Sequence, residues 1–342
     1  MATGKTLYGR EVARTAFAML AAVACVAAQA ASGTFADDGD YLRRKWREDV
    51  SDRSTGVGGA ELRKELEALL PAWKKEMPWQ MVKAKAFAHF CDRTAIGISE
   101  HDWFPAFAYW TRFKFETHPL LKLLEKRRDE VVAARSPDLL RRRKWDGRWW
   151  GYHDYDHSAP DWDVIVKLGF KGMAERLERS AKDTDYYRAR RIAMAGVFRL
   201  LDRMIAYGEG KKAVGGRVAR VVESLKRLRD GAPETALDAL NFIYLYWVMS
   251  ENFEGIQVRT LGNLDRIIAP FYRADVAAGR TDECEFRDQF RHFWWQWGSL
   301  DNYWGQPVYF GGTEADGSAR WRGWRPWSGC RRGRTRACRR EA

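Results

Sequence analysis

The stretch HDYDHSAPDWD, residues 153–163, gathers two histidines and four aspartates around Pro160. Imidazoles and carboxylates at that density suit three tasks: ligating a metal ion, exchanging protons with a substrate, or forming the polar entry to a helix. For a metal, His153 and His157 stand four apart, a spacing that on a helix turns both rings to one face beside Asp154 and Asp156. The context argues against it. Tyr155 replaces the glutamate-bearing HExxH pattern, no third ligand is identifiable, and Pro160 biases Ala159 away from helical geometry, so no bound metal is expected. Helix entry fits better, because Pro160 suits a first turn, where its missing N–H costs nothing, and Asp161 and Asp163 complement the positive end of the helix dipole. Ser158 or Ala159 would then be the cap. His157 would stand just before a helix N-terminus, where backbone amides attract negative or strongly polar ligand groups. A substrate-binding imidazole and a histidine merely hydrogen-bonded in its loop are equal readings of these residues alone.

The elements that must position this stretch read as mainly helical. Trp162, Val166, Gly169, Met173 and Leu177 recur at three- and four-residue spacing, which predicts a helix over about 160–180. Upstream, Glu61–Leu70 and Trp79–Asp92 form a helical hairpin broken by Pro71 and Pro78. Ser99 is an expected N-cap ahead of Glu100 and Asp102, and a basic helix is expected over Leu120–Arg135. Downstream, helices are predicted over Tyr186–Tyr207 and Val214–Asp230, the second stopped by Gly231 and Pro233. LDALNFIYLYWVM, residues 237–249, is apolar on every side over its second half and belongs at the centre of something large. Residues 263–279 predict a helix interrupted at Pro270, and 281–297 a helix opened by Thr281. The persuasive strand is Pro307–Phe310, running into Gly311-Gly312.

Composition narrows the function classes. With 342 residues, 46% hydrophobic and 14% aromatic, the chain can bury a real core and is not a disordered protein. Of the net charge of +13, +8 lies in residues 318–342, with nine arginines against one glutamate, which leaves a mildly basic body. The five cysteines, at 25, 91, 284, 330 and 338, are odd in number and show no CxxC spacing, so neither a disulfide framework nor a zinc site is suggested, and a reducing compartment fits. The amino terminus pulls the other way: Lys5, Arg10 and Arg14, an apolar run Thr15–Ala28 and Ala28-Gln29-Ala30 have the form of a secretory signal. An alanine-rich helix explains residues 1–30 equally well. That run is short for a bilayer, so no membrane span is expected.

Three segments in order carry a family resemblance. DHSAPDWDVIVKLGFKGMAERL, from Asp156 to Leu177, is similar to the G-H/R-x-x-P/G-D-Y segment, helix and glycine of the glycyl radical enzymes, the pyruvate formate-lyase-like superfamily. Residues 236–280 resemble that family's buried helix, acidic-asparagine turn, S-x-G-R-x-D segment and P-F/Y-Y-x-x-D element. GQPVYFGGTEADGSA resembles its strand and G-G-x-D-x-D-G turn. The resemblance spans about 147–317 and divides the chain into a signal-like or helical start at 1–30, a helical region at 31–146, a truncated pyruvate formate-lyase-like domain at 147–318, and an arginine-rich tail at 319–342.

The resemblance implies a mainly α chain with some α/β, an incomplete N-terminal portion of a ten-stranded α/β barrel. It implies substrate-binding roles for His157 and for Thr260, which falls on the family's serine. Asn263 in place of the family's arginine, and Asp156 in place of the glycine before the histidine, point to a divergent branch. Family chemistry needs a glycine in an R-V-x-G-Y loop and a cysteine in a G-C-x-E loop, and the sequence contains neither. Cys330 comes too soon after the glycine turn to replace that cysteine, and Cys284 is most simply a packed helix residue. No catalytic residue is therefore assigned. The expectation is an inactive fragment of a radical lyase, dehydratase or decarboxylase acting on a small oxygenated substrate, with residues from about 319 onward out of frame. No cofactor is expected on this chain; an intact homologue would carry a glycyl radical installed by a radical-SAM activase. The other implied partner is a second copy in a homodimer, with no specific nucleic acid, and the family compartment is the cytoplasm, export being the alternative. Two rivals come from composition: an exported helical polysaccharide lyase, suggested by 17 tryptophans and the signal-like start, and a non-enzymatic module gripping nucleic acid or an acidic surface through its arginine-tryptophan end.

Overall fold

The structure, a computed structural model, describes residues 38–42, 55–107, 130, 134, 138, 157–211, 216–254, 257–258, 260–299, 308–313 and 316–317. The expected helix at 120–135 lies outside these apart from residues 130 and 134, and the signal-like start, His153 to Asp156 and the arginine-rich tail lie outside them altogether. The described elements are α1 (Gly59–Glu76), α2 (Trp79–Arg93), β1 (Ile96–Gly97), β2 (Ala106–Phe107), β3 (His157–Ser158), α3 (Trp162–Ser180), α4 (Asp185–Lys211), α5 (Gly216–Asp230), α6 (Ala236–Val248), a π-helical turn (Met249–Phe253), β4 (Gln257–Val258), α7 (Leu264–Ala277) and α8 (Glu283–Ser299). The fold is mainly helical with very short strands.

Helix α6 is its axis. Every residue of α6 except Tyr246 is buried, as the all-round apolar pattern requires. Its start is fixed by a capping box: the Thr235 hydroxyl accepts from the Asp238 amide at 3.1 Å and the Asp238 carboxylate accepts from the Thr235 amide at 3.0 Å. Arg227 of α5 then donates two bonds, of 2.7 and 2.9 Å, to the same carboxylate. Within the helix the Tyr244 hydroxyl donates to Pro105 O at 3.0 Å and receives Gln296 Nε2 at 2.8 Å. Trp247 stacks on Trp297 of α8 with ring centroids 3.6 Å apart. One apolar core runs from Leu62 on α1 through Phe90, Val166, Leu200, Val222 and Phe242 to Trp297, so the helical hairpin and the later helices share a single interior.

The hairpin departs from expectation at Pro71, which lies inside α1, and Pro270 likewise lies inside an unbroken α7. Both rings are on the exposed face, where the carbonyl left without its helical partner can turn to water, while Leu62, Leu66 and Leu70 in one helix and Leu264, Ile267 and Ile268 in the other stay packed. Ser99 caps no helix. Its hydroxyl and amide both donate to Asp102, at 3.0 and 2.9 Å, closing a turn instead. Asp282, not Thr281, opens α8 by accepting from the Glu285 amide at 2.8 Å. Asp282 stands one residue nearer the first turn, so its carboxylate reaches the orphan amide directly.

A buried polar knot closes the other side of the core. One carboxylate oxygen of Asp38 accepts from Arg217 of α5 at 2.7 Å and meets His292 Nε2 of α8 at 2.8 Å, while the other meets His101 Nδ1 at 2.7 Å. Burial alone would raise the Asp38 carboxyl, but the hydrogen bonds from His292, Arg217 and His101 outweigh it and hold it down at about 2. The Arg217 guanidinium lies over the Trp103 ring, 5.0 Å from its centre.

Candidate functional site

Two strand–helix units meet at the site. Strand β3 leads through Pro160 into α3, and β4 leads through Gly262 into α7. The two strands pair in parallel, with His157 opposite Gln257 and Ser158 opposite Val258. Beyond them Gly262 bridges Val308 in the same sense, and the Tyr309 amide donates to Gly262 O at 2.9 Å. The expected strand 307–310 is thus reduced to one bridge, because Gly262 is the single backbone position that meets it among the described residues. In parallel α/β arrangements ligands sit beyond the carboxyl ends of the strands. Thr260 lies there, just past β4, and Ala159 and Pro160 lie there past β3.

The entry to α3 differs from the sequence reading by two or three residues. The cap is Asp161, whose carboxylate accepts from the Val164 amide at 3.3 Å, and Pro160 precedes it. His157 is consequently part of the strand rather than the residue before the helix N-terminus, and the helical four-residue spacing invoked for a metal pair does not apply at its end. Thr260 is tied to the same corner: its carbonyl accepts from Trp162 Nε1 at 2.8 Å and its hydroxyl accepts from the Gly262 amide at 2.8 Å. The turn demands glycine, since Gly262 has φ 58°. Of the two positions named from the sequence, His157 lies in β3 and Thr260 just past its neighbour β4.

Two carboxylates that sequence reasoning did not single out hold this corner. Glu251, on the π-helical turn, accepts from the Val258 amide at 3.0 Å, so an edge of β4 is closed by a side chain. Buried Asp265 accepts from the Gly311 amide at 2.9 Å, which fastens the glycine turn to the start of α7. Their signals were in the sequence, in SEN after the buried helix and in TLGNLD after β4, but only as parts of longer motifs. A π-helical turn costs regular hydrogen bonding, and such turns concentrate at functional positions.

The described cysteines are not poised for chemistry. Cys91 is buried in α2, and burial, with Asp92 adding to it, pushes its thiol far up; a thiol so held is inert. Cys284 sits half-buried on α8.

Comparison with known proteins now assigns the class. The sequence profile described as pyruvate formate lyase-like matches residues 76–306. The chain belongs to this family of glycyl radical enzymes. Comparison with curated proteins finds no match. Among solved structures, the chain is similar to hydroxyproline dehydratase (HypD) from Clostridioides difficile with trans-4-hydroxy-L-proline bound, at 16% identity and a TM-score of 0.55 over 85% of this chain and 45% of that one. A glycyl radical enzyme from Archaeoglobus fulgidus is similar at 17% identity and a TM-score of 0.57, over 82% and 44% of the two chains. A protein of 1,2-propanediol dehydration in Roseburia inulinivorans is similar at 15% identity and a TM-score of 0.58, over 82% and 43%. The chain therefore spans under half the length of the solved structures it matches. Neither rival drawn from composition, the polysaccharide lyase or the basic binding module, finds support in these matches. The family profile begins at residue 76, well ahead of the motifs that carried the resemblance, which agrees with a core that α2 shares with the later helices. Among the described residues no helix is long and apolar enough to cross a membrane.

Proposed function

We propose that this chain is the N-terminal portion of a glycyl radical dehydratase or related lyase, and that it supplies one wall of the substrate site. The observation that carries the reading is the parallel pairing of His157–Ser158 with Gln257–Val258, with Thr260 at the carboxyl end of that pair. In this reading the strands are the beginning of an α/β barrel, and residues 147–318 form its pyruvate formate-lyase-like part. His157 and Thr260 bind a small hydroxylated substrate by hydrogen bonds, with Glu251 and Asp265 holding the strand ends that present them. The neighbours' substrates, trans-4-hydroxy-L-proline and 1,2-propanediol, set the chemical class.

The radical chemistry itself does not fit the residues present: the sequence has no R-V-x-G-Y or G-C-x-E loop, and Cys91 is sealed in the core. No radical step is therefore assigned to this chain, and by itself it is inactive. With a portion carrying both loops, and a radical-SAM activase to install the glycyl radical, dehydration would follow in an anaerobic cytoplasm, in a homodimer. The test completes residues 1–318 with a C-terminal portion that carries the two loops and activates the product under strict anaerobiosis. A glycyl-radical EPR doublet and turnover of a vicinal diol or hydroxyproline are expected, with kcat/KM reduced at least tenfold by Thr260→Ala and more by His157→Ala. A radical-bearing enzyme whose turnover ignores both substitutions would overturn the assignment.

A further inference from the structure

A cavity lies away from the strand corner, lined by α2, α3, α4 and the end of α6 with its π-helical turn. Its volume is about 210 Å³. The walls are apolar, formed chiefly by Phe87, Phe170, Met173, Ala193, Met194 and Met249. Tyr246 stands between this cavity and the corner just described, since one side of its ring meets Trp162 edge-on with centroids 5.5 Å apart.

Three polar features converge on the same space. Lys83 and Glu254 both line it and are paired with each other at 2.7 Å, so their charges cancel. Arg190 also lines it, lies over the Tyr186 ring at 5.0 Å, and makes no ion pair among the described residues, which leaves one net positive charge at the mouth. Gln80 lines it as well, and its side-chain oxygen is buried in the wall with no hydrogen-bond partner. A buried acceptor left unpaired costs free energy, and a ligand that brings a donor recovers it. Apolar walls with a few convergent polar groups are the usual make-up of a small-molecule site.

We propose that this cavity binds a small apolar carboxylate that also carries a hydrogen-bond donor, such as an aromatic hydroxy acid. Its ring lies among Phe87, Phe170 and the methionines, its carboxylate meets Arg190 at the mouth, and its hydroxyl donates to Gln80. The site shares neither His157 nor Thr260 and does not depend on the radical reading, so either can fail without the other.

The probe is phenyllactate, titrated calorimetrically into the full chain, with uncharged 3-phenyl-1-propanol as the comparison. Saturable one-site binding of phenyllactate is expected, with the alcohol at least tenfold weaker. Arg190→Gln, on an exposed side chain, should weaken phenyllactate by a similar factor and leave the alcohol unchanged. Ala193→Trp should fill the cavity and remove binding of both; where that variant does not keep the parent melting temperature, Arg190→Gln decides alone. Absence of saturable binding to the parent chain, equal affinity for acid and alcohol, or indifference to Arg190→Gln would each overturn the proposal.

Discussion

The helical interior and the strand corner are built on opposite principles. Around α6, apolar side chains are enclosed on all sides and the carboxylate at its start is closed by several partners, Asp238 by Arg227 and Thr235. At the corner, two-residue strands share few ladder bonds, and single side chains finish what pairing leaves open: Glu251 on Val258, Asp265 on Gly311, Trp162 on Thr260. A packed interior distributes its stability over many contacts, whereas a short strand pair concentrates it in a few hydrogen bonds. Perturbing the first should therefore unfold the whole, and perturbing the second should loosen one place.

The sharpest way to break that contrast is at Asp38. Asp38→Ala removes a buried carboxylate that pairs with Arg217 and meets two histidines, and a loss of about 4 kcal/mol is expected from breaking a buried ion pair at one partner. Chemical denaturation measures it; a loss below about 1 kcal/mol, the value of a surface pair, would place the knot outside the cooperative unit. The same group sets an acid limit. Its folded carboxyl titrates at about 2, below the ordinary 3.8, so its contribution is complete above about 4 and disappears as pH falls through 2. In Asp38→Ala that acid-dependent slope in stability should flatten, which a pH series of melting curves reads directly.

Gly169 tests the interior from the backbone side. It sits in α3 with φ 62°, and a Cβ there would lie 2.6 Å from Gly231 O and 2.8 Å from Ala232 Cα. Neither backbone atom can step aside, so Gly169→Ala should cost about 3 kcal/mol in a global, cooperative melt. The smallest effect belongs to the corner. Glu251→Gln replaces a charge-assisted acceptor by a neutral one and should cost about 1 kcal/mol overall. The informative readout is local: hydrogen exchange at the Val258 amide should quicken while amides in α6 stay protected. Equal acceleration in both would erase the distinction between the two regions.

The sequence showed the helices because their information is local. The three- and four-residue apolar spacing of α3 and the unbroken apolar run of α6 each lie within one element, and the structure returns both within a few residues, α3 with a kink at Gly169 that the spacing did not foretell. It also carried the family through the order of three motifs. It misjudged Pro71 and Pro270, because whether a proline breaks a helix depends on which face it occupies, and that face is chosen by packing. It missed the cap at Asp161 for a smaller reason, since Ser158, Ala159 and Asp161 are all near enough to the turn to compete and only the strand ending at Ser158 decides among them.

What the chain determined by itself was therefore the helical periodicity, the all-round burial of its central helix and the family to which it belongs, all properties of residues close together or in fixed order. Tertiary structure alone joined Asp38 to His292 across 254 positions, laid β3 beside β4, and left a cavity between four helices with an unpaired oxygen buried in its wall. Such features arise from distance in space, and chain order places no limit on which residues the folding of a common core will bring together.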